Sequence, residues 1–129
     1  MKSQILQTLA ALALIATSAT AQDNPMENHT ASYIAMPAAE GQSEAFAEFL
    51  AGAAPIVRDT EPGTVLWFAL QANDTLAIFD IFADEEARNA HFSGAVAAAL
   101  NQNADALVDG GWDDGVVANI NNSDVLSVK

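Results

Sequence analysis

Residues 65–70 (VLWFAL) and 76–82 (LAIFDIF) are apolar at nearly every position rather than at alternate ones. Their length and their Val, Ile and aromatic content make both of them strands. Between them Asn73-Asp74 lies at the centre of 71–75. Asn and Asp tolerate left-handed backbone, so the pair predicts a hairpin. A sheet with one wet face would alternate, so both faces of this hairpin need cover. Helices can supply one side. A second copy of the same sheet is the simplest cover for the other, which predicts a homodimer.

Helical spacing appears on either side of the hairpin. Over 43–59, Phe46, Phe49, Leu50, Ala53 and Ile56 or Val57 recur at intervals of three and four. Ser43 is positioned to cap this helix, and Glu44 sits at the positive end of its dipole. Gly52 and Pro55 predict a kink or break near 51–55. Asp84 caps a second helix, with Glu85 and Glu86 in its first turn, running to about Phe92, and Ser93-Gly94 interrupts it. A third covers 95–108, with Val96, Leu100, Ala104 and Leu107 on one face, and Asp109-Gly110-Gly111 ends it. Residues 30–36 (TASYIAM) supply a first strand and 124–128 (DVLSV) a last one. The acidic, Asn-rich stretch 112–122 is expected to be a loop with some extended structure. The order is β-α-β-β-α-α-β, an α+β, ferredoxin-like arrangement with helices on one face of an antiparallel sheet.

Composition narrows the function. The chain has 129 residues, the size of one domain. Four basic residues against 17 acidic ones give a net charge of −13. Such a polyanion does not hold a nucleic-acid backbone or an anionic membrane surface. There is no Cys, which excludes disulfides, thiolate metal sites and thiol catalysis, and two His exclude a three-His zinc site. The acidic runs 84–86 and 113–114 lack calcium-loop spacing. No metal site is therefore expected. The first 21 residues have a basic start, a short apolar run and Ala19-Thr20-Ala21, the marks of a signal peptide cleaved after Ala21. This divides the chain into a signal peptide (1–21), a flexible leader (22–29) and one domain (30–129). The mature protein is expected to be periplasmic or secreted and free of the membrane.

The block 61–100, EPGTVLWFALQANDTLAIFDIFADEEARNAHFSGAVAAAL, resembles the antibiotic biosynthesis monooxygenase domain family. The resemblance rests on Glu61-Pro62-Gly63-Thr64 before the second strand, an acid at Asp80 late in the third, Asp84-Glu85-Glu86-Ala87 followed by Ala90-His91, and the closing DVLSVK. It implies a dimeric α+β barrel in which two ferredoxin-like sheets face each other. Members include cofactor-independent oxygenases of polycyclic phenols and quinols, and haem-degrading proteins. The resemblance implies a cofactor-independent monooxygenase-like protein, with no cofactor, acting on a quinol or polycyclic phenol, and the N-terminal segment adds export. The alternatives are a non-catalytic periplasmic barrel that binds a small apolar molecule, and haem binding through an axial ligand such as His91.

Oxygenation without a cofactor needs an apolar slot for flat rings, a polar group for the hydroxyl and a dry interior. His91 is the candidate proton carrier, because imidazole titrates near working pH; the alternative is a packing or capping role near a helix end. Asp80, inside LAIFDIF, is costly to bury unpaired. It is either an acceptor for a substrate hydroxyl or, as buried charges usually are, the partner of Arg58 or Arg88. Trp67 and Phe68 are candidates to pack the substrate rings, with plain core packing as the alternative. Tyr33 is placed to donate a hydrogen bond into the same cavity. His29, in the leader, is a weaker candidate than His91.

Overall fold

The computed structural model describes residue 26 and residues 29–129. The expected signal peptide and most of the leader lie outside the described residues. The chain runs β1 (Thr30–Pro37), α1 (Ser43–Thr60), β2 (Thr64–Ala72), β3 (Thr75–Phe82), α2 (Glu85–Phe92), α3 (Ala95–Leu107), a π-helical turn (Gly111–Val116), a 3₁₀ turn (Val117–Asn119) and β4 (Ile120–Asp124). The four strands form one antiparallel sheet in the order β2-β3-β1-β4. This is the expected ferredoxin-like α+β topology.

The hairpin turns at Asn73, whose φ of 55° is the left-handed conformation that Asn tolerates. Asp84 caps α2 as expected, its side chain accepting from Ala87 N at 2.8 Å. The helices cover one face of the sheet. There Ile34, Met36, Leu76 and Ile78 meet Phe46, Leu50, Leu100 and Ala104 in the main core. The opposite face stays open in the single chain. Tyr33, Leu66, Phe68 and Leu70 on that face are each 41–48% exposed, and Phe68 stacks on Phe79 with ring centroids 6.2 Å apart. The cover expected for both sides of the hairpin is therefore half supplied within the single chain.

Four local expectations are corrected. Helix α1 is not broken at Gly52 or Pro55; both lie on its exposed side. Ser43 does not cap α1, because Gln42 holds that position, and the Ser43 hydroxyl instead donates to Asp74 Oδ1 at 2.8 Å. Helix α3 stops at Leu107, one residue early, since Val108 leaves it to pair with Ala38. The last strand is Ile120–Asp124 rather than 124–128. Ile120 packs against the core, and Ser32 Oγ donates to Asn122 Oδ1 at 2.7 Å, so these contacts fix the pairing with β1. Leu126 is left almost fully exposed.

Candidate functional site

Three ionisable side chains from three elements meet beneath the helices. His91, in the last turn of α2, is buried at 5% exposure. Its Nδ1 lies 2.5 Å from Glu61 Oε2, and its Nε2 lies 3.2 Å from Asp80 Oδ2. The first contact is a short hydrogen bond. The second has ion-pair length but misses hydrogen-bond alignment, so it acts through charge. The Asp80 side chain is fully buried and that of Glu61 is 10% exposed. The Phe82 and Phe92 rings close over the imidazole, with centroids 5.3 Å and 5.6 Å from it.

The local sequence builds this arrangement. Asp84 starts α2, and His91 lies seven residues on, two turns along the same face. Asp80 points to the helix side because β3 alternates, which also places it beside Ser32 and Trp67 in the register. Glu61 ends α1, its N–H donating to Val57 O at 2.9 Å, and Thr64 Oγ1 donates to its Oε2 at 3.0 Å. Two glycines allow the close approach. A Cβ on Gly63 would stand 2.5 Å from the Ala87 Cβ, and one on Gly94 would stand 2.7 Å from Glu61 Oε1. Gly94→Ala is therefore expected to displace the Glu61 carboxylate and destabilise the fold by about 1–3 kcal/mol, the usual cost of overpacking. A urea midpoint unchanged from the parent would refute this.

Burial pulls the pKa of His91 down, but the contacts and charges of Asp80 and Glu61 outweigh it and hold the imidazole above its ordinary 6.5. The negative end of α2 works in the same direction. Burial pushes the Asp80 carboxyl above its ordinary 3.8, against the lowering effect of His91. Both groups thus retain protons to higher pH than they would in water. The two carboxylates address opposite nitrogens of one ring, so the three groups do not converge on a point where an ion would sit. Among the described residues no group of three His, Asp or Glu is arranged to hold a metal. Both ring nitrogens of His91 face carboxylates, so neither is directed at open space.

Of the predicted site residues, His91, Asp80 and Trp67 share the helix-covered face. Trp67 stands opposite Asp80 on β2, and its indole N–H is buried without a hydrogen-bond partner. Phe68 and Tyr33 flank Phe79 on the other face, so the sheet separates them from His91 within the chain. The expected pairing of Asp80 with an Arg is not found. Arg58 pairs with Asp59 at 3.2 Å and Arg88 with Glu85 at 3.5 Å, while Asp80 is served by His91. Glu61 was not among the predicted site residues, although Glu61-Pro62-Gly63-Thr64 is part of the family resemblance. Its signal was an acid fixed at a Pro-Gly turn ahead of an apolar strand. Glu61 also lines two surface clefts. One, of about 450 Å³, runs past Pro62, Ala87 and Ala90. The other, of about 340 Å³, lies between α1 and β2 and is walled by Val57, Arg58 and Trp67.

No protein-family model matches the chain, and no curated protein matches it. Among solved structures, a protein of unknown function from Nitrosomonas europaea is 38% identical and has a TM-score of 0.71, covering 81% of this chain and 95% of its own. A candidate antibiotic biosynthesis monooxygenase from Bacteroides thetaiotaomicron is 15% identical with a TM-score of 0.61, covering 79% of this chain and 91% of its own. A second such candidate, from Chloroflexus aurantiacus, is 15% identical with a TM-score of 0.60, covering 78% and 96%. At these lower identities the likeness is one of fold.

Proposed function

The chain belongs to the same family as the Nitrosomonas europaea protein and has the antibiotic biosynthesis monooxygenase α+β fold, and on that premise we propose that it is a cofactor-independent monooxygenase of a quinol or polycyclic phenol. The observation that carries the reading is His91 held between two buried carboxylates, one of which lines an aromatic-walled cleft. The substrate ring lies against Trp67 in the cleft between α1 and β2, and its acidic hydrogen goes to the Glu61–His91 pair. The Glu61 carboxylate, which lines that cleft and contacts His91 Nδ1, is the accepting group.

The chemistry balances without an external reductant. In an anthrone-type substrate the deprotonated CH₂ centre gives one electron to O₂. The substrate radical and superoxide combine into a peroxide, which takes a proton back from the Glu61–His91 pair. Loss of water then leaves a carbonyl. One oxygen atom enters the product, the other leaves as water, and the substrate supplies all four electrons.

The partner is a second copy of this chain, seated on the open face that carries Tyr33, Leu66, Phe68 and Leu70. Export through residues 1–21 belongs to the same proposal, and N-terminal sequencing of protein recovered from the periplasm or medium checks it. Oxygen uptake with menadiol-like and anthrone-like substrates tests the activity. Uptake with a stoichiometric carbonyl product is expected. A silent panel combined with ligand-induced thermal stabilisation would replace the enzyme with a binding protein.

A further inference from the structure

We infer that an apolar void beside His91 is a holding site for molecular oxygen, the co-substrate of the oxidation proposed above, on which this inference rests. The cavity measures about 30 Å³, is partly open past the half-buried Phe92 and Ala97, and lies between the helix-covered face of the sheet and α2, α3 and the π-helical turn. Ile34 and Ile78 line it from the sheet, Leu100 from α3, and Trp112 and Val116 from the π-helical turn.

Its lining gives water little to bind. A buried water needs two to four polar partners. His91 is the one titratable residue on the wall, and both its ring nitrogens are turned to carboxylates. The other lining side chains offer at most the single indole N–H of Trp112.

Size then selects among apolar guests. A void that holds one water-sized sphere measures roughly 10–15 Å³, and a cavity that admits benzene roughly 150 Å³. The void here exceeds the first and falls far short of the second, so it takes a small apolar diatomic and refuses an aromatic ring. It is also close to the place of reaction. Val96 lines the void and packs with Val57 and Trp67, which wall the cleft assigned to the substrate. One layer of side chains therefore separates the two compartments.

Xenon is the probe, because it enters small apolar cavities and does no chemistry. Crystals of the mature chain pressurised with xenon are expected to show an atom among Ile78, Leu100 and Val116. Val116→Leu fills the void without touching the cleft. It is expected to abolish the xenon site and to raise KM for O₂ by about tenfold, the scale of one methylene in an apolar pocket, with KM for menadiol unchanged. Ala97→Val, at the rim, serves the same purpose if Val116→Leu does not fold. Ordered water in the void, no xenon in a chain that consumes oxygen, or an unchanged KM for O₂ in a folded variant that has lost xenon would each overturn this inference alone. Xenon bound in a chain that oxidises no quinol would overturn the oxygenase reading, and the oxygen assignment with it.

Discussion

His91→Leu is expected to destabilise the protein by about 3–5 kcal/mol at neutral pH, the cost of leaving a buried charge without its partner. The variant strands Asp80, which is fully buried, and Glu61, which is 10% exposed, with no cation beside them. Arg58 and Arg88 pair with Asp59 and Glu85 and form no ion pair with either carboxylate. Adding Asp80→Leu should recover part of the loss, because it removes a stranded carboxylate. The effect depends on pH in a defined direction. The folded pKa of His91 lies above 6.5, so the stability from its ion pairs is fully present below about pH 6.5 and is lost as pH rises through the folded value. The folded pKa of Asp80 is also raised, so its burial costs more as pH climbs from 3.8 through its folded value. The gap between parent and variant should therefore be widest around neutrality and should narrow toward both extremes. Urea midpoints across pH measure it, and a gap independent of pH would contradict the assignment.

Glu61→Gln is expected to lower kcat on a responsive quinol by roughly 10²–10⁴-fold, the usual contribution of a positioned acid or base. Gln keeps the shape of the side chain and can still accept from Thr64 Oγ1. What it loses is the charged contact to His91 Nδ1 and the ability to accept a proton. The loss should fall on kcat, with KM largely kept, because Trp67 and Val57 still form the ring slot. Unchanged turnover would remove Glu61 from the reaction.

The fold was legible where its causes are local. Asn73-Asp74 dictates a two-residue turn, Asp84 caps α2, and the stripe through Phe46, Leu50, Ala53 and Val57 is the buried face of α1. The strand at 124–128 was misplaced because its alternation is a genuine local signal that tertiary contacts override. Ile120 and Asn122 have partners in the core and on β1, and Leu126 has water. His91 and Asp80 were legible as chemically odd residues in apolar surroundings. Their partnership was not, because charge inventory pointed Asp80 to the Arg residues and said nothing about which element crosses which. Glu61 lies 30 residues from His91. Only the packing of the α1–β2 turn against α2, admitted by Gly63 and Gly94, brings the two together.

The account rests on His91 carrying a proton between Glu61 and Asp80. Nitrogen-15 NMR of the imidazole through a pH titration, assigned with a His29→Ala variant, reports that state directly. The account predicts that both ring nitrogens stay protonated above pH 6.5. A ring that loses its proton at or below that value, with one nitrogen free, would contradict it.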